Sequence, residues 1–242
     1  MCLKCLNFGL ILILRINCNK FSIVYINIMF RKLLFLLLSF ILFQQNLSAD
    51  MVKVFEFTQN EIENLQIKKV KGKTIYSLGS NEKGNFLRAE TQGKASGLGK
   101  EIKIDLLKTP FINITWKVEK DLFGIVENSK KGHDYAARVF VVKKTGATAL
   151  SNRAISYVFS SNNLVDKNWS SPYTKKSIDY VLSSTIEYKN KWVTVKTNVR
   201  EDFKRLHGIE VNDLTGVAIM TDTDNSKLKA IAYYQNIYFS SE

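Results

Sequence analysis

Apolar and polar residues alternate with a period of two along most of the chain after residue 50. In residues 111–118, the apolar residues Ile112, Ile114 and Trp116 alternate with polar ones, which predicts that Trp116 belongs to the core. This alternation is typical of β strands with one buried face. It predicts about eleven strands, at residues 52–57, 74–78, 85–90, 101–106, 111–118, 134–142, 155–160, 178–183, 191–199, 217–221 and 230–239.

The segments between these strands are short and rich in turn residues, and the glycine-rich run 93–99 is predicted to be a loop. Residues 160–176 lack periodicity and are predicted to form a long loop. One helix is predicted at residues 201–207, ending at Gly208 in the left-handed conformation. The pattern predicts an all-β fold, a two-sheet antiparallel sandwich of the jelly-roll, carbohydrate-binding-module-like type, with one short helix.

The residues before Asp50 read as a targeting segment rather than as part of the fold. Residues 29–32 form a short positive region, residues 33–43 are apolar apart from Ser39, and Ala49 offers a small residue for cleavage. That order is typical of a secretory signal peptide at residues 29–49, and the apolar stretch is shorter than the roughly 20 residues of a membrane span. The interpretation predicts a periplasmic or secreted protein with a single domain at residues 50–242.

Residues 1–28 do not belong to a normal signal peptide, because two further apolar runs precede Met29. We interpret them as an over-extended N-terminus, with Met29 as the true start. The alternative is an uncleaved N-terminal membrane anchor. All three cysteines, Cys2, Cys5 and Cys18, fall in this segment. A mature chain from Asp50 onward would therefore have no disulfide, cysteine nucleophile or cysteine-bound zinc.

The chain is basic, with a formal net charge of +13. Removal of the five basic residues before Asp50 leaves 30 Lys+Arg against 22 Asp+Glu, a net charge of about +8. The lysines are scattered and form no nucleic-acid-binding pattern, so no nucleic-acid partner is expected. A solvated surface is one interpretation, and attraction to anionic glycans or membranes is another. The chain also has no serine-hydrolase elbow and no phosphate-binding glycine loop.

Three oxygen-bearing side chains, Asp222, Asp224 and Asn225, follow the apolar end of a predicted strand. They do not form an EF-hand loop, because Lys227 and Tyr233 stand where that motif needs glycine and glutamate. A looser calcium site, a ligand contact and a simple Asx turn all remain open. We expect a local structural role first, with calcium as the candidate cofactor.

Arg138 is a lone charge in an apolar predicted strand, where it must be paired or reach solvent. Asp134 or Asp222 could pair with it, either as a structural ion pair or as the floor of a binding cleft. Trp192 is predicted on the polar face of its strand, as a core aromatic or as a platform for a sugar ring. The candidate ligand-binding residues are therefore Asp134, Arg138, Trp192, Asp222, Asp224 and Asn225, and the candidate metal ligands are Asp222, Asp224 and Asn225.

The segments 134–139, 192–203 and 218–225, with residues 232–234 and 237–239, together resemble one family. This is the bacterial domain-of-unknown-function family 3047, and the resemblance covers roughly residues 52–240. The resemblance implies export and a β sandwich. The family has no established activity, so the resemblance implies no catalytic residues.

Three functions remain open at this point. The first is a non-catalytic binding protein of the cell envelope, with a glycan as ligand. The second is an enzyme acting on polysaccharide with paired carboxylates such as Asp134 and Asp222, whose separation would be about 5–5.5 Å or 6.5–9.5 Å depending on the stereochemistry. The third is a structural envelope protein without a small ligand. A cleft on a sheet face would argue against the third, and carboxylates held against Arg138 in a closed core would argue against the second.

Overall fold

Thirteen strands form two facing sheets in the computed structural model, which describes residues 50–148 and 151–242. The predicted signal peptide and residues 1–28 lie outside the described residues. In chain order the strands are β1 (Met51–Phe55), β2 (Gln66–Lys71), β3 (Ile75–Asn81), β4 (Gly84–Gln92), β5 (Ala95–Asp105), β6 (Phe111–Lys120), β7 (Ala137–Lys143), β8 (Arg153–Ser160), β9 (Asn168–Ser171), β10 (Thr174–Ser184), β11 (Val193–Asn198), β12 (Asp213–Asp222) and β13 (Lys229–Ser240).

Sheet A has the order β11-β6-β13-β4-β3, with β1 pairing with the second half of β13. Sheet B has the order β2-β5-β12-β7-β8-β10-β9. All strand pairs are antiparallel except β8 and β10, which run parallel. The all-β sandwich with predominantly antiparallel sheets is therefore confirmed, and the described residues form one compact unit. Within the described residues, no helix is both long and apolar enough to span a membrane.

The helices of the described residues are α1 (Gln59–Asn64), α2 (Thr185–Tyr188) and α3 (Val199–His207). Helix α3 corresponds to the predicted helix and ends at Gly208, whose φ is +67°. The Asn198 side chain caps its first turn by accepting a hydrogen bond from the Glu201 amide. The structure adds α1 and α2, which have six and four residues and are too short to give a periodic signal.

The core lies between the two sheets and is built from the apolar positions of the alternating strands. Trp116 is fully buried there, as predicted, and its indole nitrogen donates to the Ser183 hydroxyl at 2.9 Å. Burial of large side chains of this kind supplies the main stabilisation of such a sandwich. The largest fully buried side chains include Trp116, Tyr157, Phe159, Phe203, Tyr234 and Phe239.

The strand prediction missed two strands and misplaced one loop. Strands β2 and β9 lie at the two edges of sheet B, where polar and charged residues are favoured over a clear alternation. The predicted loop at 93–99 is wrong after residue 94, because β5 starts at Ala95. Gly97 belongs to this strand, and a Cβ there would lie 2.8 Å from the Ile219 carbonyl oxygen. Glycine at this position therefore allows β5 and β12 to approach each other closely, and it does not form a turn.

The other differences concern residues 134–136 and 160–176. Strand β7 begins at Ala137 rather than at Asp134, so the predicted alternation does not extend to Tyr135. The centre of the Tyr135 ring lies 5.2 Å from the Arg138 guanidinium carbon. The two side chains therefore lie on the same face of the sheet, whereas strict alternation would put them on opposite faces. The predicted long loop contains β9 and the start of β10, which form a hairpin at the edge of sheet B.

Candidate functional site

Arg138 lies in the middle of sheet B, on the face that points away from the core. Its neighbours Ala137 and Val139 are core residues, so the strand directs the Arg138 side chain outward. Met220 in β12 and Val158 in β8 are its partners on either side. The position is nevertheless buried, with Arg138 only 5% exposed. The guanidinium packs against the rings of Tyr135 and Phe140, at 5.2 and 5.1 Å.

A buried ion pair joins Arg138 to the end of β12. The Arg138 Nη2 atom donates to Asp222 Oδ2 at 2.5 Å, and the Asp222 side chain is 1% exposed. Burial raises the pKa of Asp222 to about 7, and the nearby carboxylates Asp134 and Asp224 add to this rise while Arg138 opposes it. The Nε atom of Arg138 has no hydrogen-bond partner among the described residues. The predicted pairing of Arg138 with an aspartate is therefore seen in the structure.

A second buried acidic group, Asp179, stands on the same face of the sheet in β10. Its Oδ2 atom lies 2.8 Å from His133 Nε2. An ionised carboxylate only accepts, so the imidazole nitrogen is the donor to it. The imidazole is fixed further by edge contacts with the rings of Tyr135 and Tyr173, at 5.4 and 5.5 Å. Asp179 is 1% exposed, and its Oδ1 atom has no partner among the described residues.

The turn after β12 is held by Asp134. Asp134 Oδ1 accepts hydrogen bonds from the main-chain and side-chain nitrogens of Asn225, and its Oδ2 atom accepts one from the Ser226 amide at 2.5 Å. The Asn225 amide oxygen accepts from the Tyr173 hydroxyl at 2.8 Å. These contacts hold the turn through Asn225 and Ser226, and they use a carboxylate from a distant segment. Within the turn itself, the Lys227 amide donates to the Thr223 carbonyl oxygen at 2.9 Å.

One cleft of about 370 Å³ on the outer face of sheet B is lined by most of these groups, among them His133, Arg138 and Asp179. This volume lies within the range of small-ligand sites. Asp134 lies behind the lining residue Asn225, to which it is bonded. A depression of about 410 Å³ elsewhere on sheet B is lined by groups such as Lys100 and Thr215 and has no buried ion pair on its walls. The residues of the first cleft that matter below are His133, Arg138, Phe140, Tyr173, Asp179 and Asp222.

The structure brings together five of the six predicted ligand residues and separates the sixth. Four of the five line the cleft on sheet B, namely Arg138, Asp222, Asp224 and Asn225, and the fifth, Asp134, is bonded to Asn225. Trp192 precedes β11 of sheet A, in a different part of the molecule.

Trp192 packs there with Phe86 and Tyr233, with ring centres 5.9 Å away in both cases. The Phe86 ring occupies the space that a side chain at Gly79 would take. Lys117 Nζ lies over the Tyr233 ring at 4.2 Å. The rings meet one another at steep angles, and Trp192 is only partly exposed. The three aromatic side chains therefore pack against one another on the surface of sheet A.

The sequence analysis did not select three residues that line the cleft, Asp179, Tyr173 and His133. Asp179 is a lone charge in the apolar segment 178–183, the same signal that drew attention to Arg138. Tyr173 gave no signal, because it lies in a polar turn between β9 and β10. His133 was visible as one of only two histidines, and only the fold reveals its contact with Asp179. The other histidine, His207 at the end of α3, donates from Nε2 to the Ala154 carbonyl oxygen at 2.9 Å, and burial lowers its pKa.

Three carboxylates could hold a cation, and two of them, Asp222 and Asp224, belong to the set predicted from the sequence. One oxygen each of Asp134, Asp222 and Asp224 lies within 4.8 Å of the others. Asn225 is less suited, because its amide oxygen already accepts from Tyr173. Oxygen-only groups of this kind suit calcium. Two of the three carboxylates are also bonded to protein donors, Asp222 to Arg138 and Asp134 to main-chain amides.

The same bonds bear on acid–base chemistry by the pair Asp134 and Asp222. Asp134 is fully buried with both oxygens accepting, and Asp222 is held against Arg138. A general acid or base must reach the proton that it transfers. This pair therefore does not present two free carboxyl groups to a substrate.

Comparison with known proteins assigns most of the described region to a protein family. A family model described as "Protein of unknown function (DUF3047)" matches residues 60–238. A search of curated proteins found no match. Among solved structures, the family 30 carbohydrate-binding module of a cellulosomal cellulase of Clostridium thermocellum has 11% identity and a TM-score of 0.46, over 80% of this chain and 98% of that one. The xyloglucanase domain of NopAA from Sinorhizobium fredii has 10% identity and a TM-score of 0.41, over 73% and 92%.

Proposed function

We propose that this chain, which belongs to the DUF3047 family of proteins of unknown function, is an exported, non-catalytic binding protein of the bacterial cell envelope that takes a glycan in the cleft of sheet B. The observation that carries the proposal is a pair of unsatisfied polar atoms on two residues that line the cleft. Within the described part of the chain, Arg138 Nε is a donor without an acceptor, and Asp179 Oδ1 is an acceptor without a donor. Both side chains are at least nine-tenths buried.

Leaving such atoms unpaired is costly, on the order of 1–3 kcal/mol for each and more when the group is charged. A bound ligand that both donates and accepts would recover this cost. A sugar hydroxyl group does both, and neighbouring hydroxyls on one ring can serve the two atoms at once. Phe140 and Tyr173 line the same cleft and offer apolar surface to the C–H face of a sugar ring.

The bonding of the carboxylates supports binding rather than hydrolysis. The pair Asp134 and Asp222 is committed to protein donors, as described above. The cleft itself supports a ligand-binding role over a purely structural one. Export is supported by the order of charged, apolar and small residues at 29–49 and by the location of every cysteine before residue 19.

Binding to an immobilised panel of plant and bacterial cell-wall oligosaccharides tests the proposal. We expect saturable binding that weakens at least about tenfold in Tyr173→Ala, a substitution at the exposed wall of the cleft. The matched control is Trp192→Ala, which removes an aromatic group from sheet A and should leave binding within about twofold of the parent. Melting curves establish that both variants are folded.

Several results would overturn the proposal. Absence of binding to every oligosaccharide would remove the glycan. Loss of binding in Trp192→Ala but not in Tyr173→Ala would move the site to sheet A. Release of new reducing ends from a bound polysaccharide would show that the protein is an enzyme.

A further inference from the structure

The residue of the cleft that constrains the ligand most is Asp179. It is a buried carboxylate with one oxygen bonded to His133 and the other without a hydrogen-bond partner among the described residues. A neutral hydroxyl group can satisfy a bare carboxylate oxygen, but a cationic N–H donor does so about twice as strongly. The group therefore distinguishes between ligands that are otherwise similar in shape.

The charge balance of the cleft favours the cationic donor. Asp179, Asp222 and Asp224 line the cleft, and Asp134 lies directly behind the turn that bounds it. Two basic side chains also line the cleft, and each is already bonded to one carboxylate: Arg138 to Asp222 and His133 to Asp179. The acidic side chains in and behind the cleft outnumber them. Lys227 is near Asp224, but it is fully exposed and its charge is screened by water.

This local charge is opposite to that of the whole chain, whose net charge is +13. Scattered surface lysines attract anions from a distance, whereas a ligand in the cleft meets buried carboxylates at contact range. Interactions between charges are stronger in such a partly desolvated place than at the surface. The cleft therefore disfavours acidic sugars, although the overall charge alone would favour them.

We infer that the glycan bound by sheet B carries an unacetylated amino group, and that Asp179 Oδ1 accepts a hydrogen bond from its ammonium. The inference rests on the proposed glycan-binding function and names the class of sugar. Hexosamine units, rather than neutral hexoses or uronic acids, are the recognised chemistry. Asp179 is then the residue that determines specificity, and His133 positions it.

A series of matched ligands tests the inference on the unmodified protein. The probes are β-1,4-linked trimers of glucosamine, N-acetylglucosamine, glucose and glucuronic acid, titrated by calorimetry at one pH with a chelator present. We expect the glucosamine trimer to bind about tenfold more tightly than the glucose trimer, and the glucuronic acid trimer most weakly. The preference for glucosamine should fall as salt is added.

Asp179→Asn tests the residue itself, because it keeps the shape and removes the charge. It should reduce the ratio of glucosamine to glucose affinity to about twofold or less. Glu82→Gln is the control, since it removes one exposed negative charge from the turn between β3 and β4 of sheet A. The control should keep the tenfold ratio.

The outcomes separate this inference from the function on which it rests. Equal binding of the glucosamine and glucose trimers, or tighter binding of the uronic acid, overturns the amino-sugar inference and leaves glycan binding in place. Failure of all four trimers to bind, together with a negative oligosaccharide panel, overturns the proposed function as well. An unchanged ratio in a folded Asp179→Asn variant shows that another group provides the selectivity.

Discussion

Substitution of Arg138 by methionine should destabilise the protein, because it leaves Asp222 as an unpaired carboxylate that is 1% exposed. Breaking a buried pair by removing one partner costs on the order of 3–5 kcal/mol. For a domain of this size, 1 kcal/mol shifts the melting temperature by roughly 2–4 °C. We therefore expect the melting temperature of Arg138→Met at pH 8 to fall by about 6 to 20 °C.

The loss should depend on pH in a defined direction. Because the pKa of Asp222 in the folded state is raised to about 7, the folded protein binds a proton between about pH 4 and pH 7 that the unfolded chain does not. The parent therefore loses stability as pH rises through this window. Removal of Arg138 takes away a cause that lowers this pKa, so the loss in the variant continues to higher pH. The difference between parent and variant should be small at pH 5 and largest above pH 8.

Two further variants test whether the loss of stability comes from the unpaired Asp222 carboxylate. Arg138→Met combined with Asp222→Asn removes both charges and should recover most of the lost stability at pH 8. Arg88→Met breaks an ion pair with Glu90 whose side chains are 31% and 27% exposed, and it should cost only about 1 kcal/mol or less. Thermal melts of Arg138→Met that match the parent at pH 8 would refute the argument and show that water reaches the Asp222 carboxylate.

Four other outcomes are expected. Glu127→Ala should lower the free energy of unfolding in urea by roughly 3 kcal/mol, because this 1% exposed carboxylate accepts from four groups of residues 160–163; a loss below about 1 kcal/mol would contradict this. Gly97→Ala should lower the free energy of unfolding by roughly 1–3 kcal/mol, because its Cβ would lie 2.8 Å from a carbonyl oxygen of β12. An unchanged melting temperature would show that β5 and β12 can move apart without loss of stability. Calorimetric titration should find weak calcium binding that Asp224→Ala removes, and tight binding would show that the neighbouring carboxylates give up their protein donors. N-terminal sequencing of exported protein should begin at Asp50, whereas a mature chain that retains residues 30–43 would favour the membrane anchor.

The strand pattern was readable from the sequence because alternation reports directly on a sheet with one face against a core. The strands that were missed, β2 and β9, lie at sheet edges, where a strand has only one neighbour and less need of apolar residues. The glycine at 97 was misread because close strand approach and turn formation both favour glycine. Local composition does not distinguish these two causes.

The candidate functional residues also divide into those that the sequence placed correctly and those that it did not. A lone arginine in an apolar strand already implies a paired charge, and Asp222 was one of two partners that the sequence offered. Trp192 was grouped with these residues, because sequence alternation gives the face of a strand but not the sheet to which the strand belongs. Its strand pairs with β6 in sheet A, whereas β7 and β12 lie in sheet B.

The sequence by itself determined the class of fold, the cysteine-free composition after residue 18 and the presence of isolated charges in apolar strands. Only the tertiary structure decided which of those charges meet. Asp179 and His133 are 46 positions apart, and Asp134 and Asn225 are 91 positions apart. Their contacts depend on strand order and register, which are set by the packing of both sheets around the shared core. Because local residue patterns do not encode these long-range pairings, the cleft and its bare carboxylate oxygen become visible only in the folded chain.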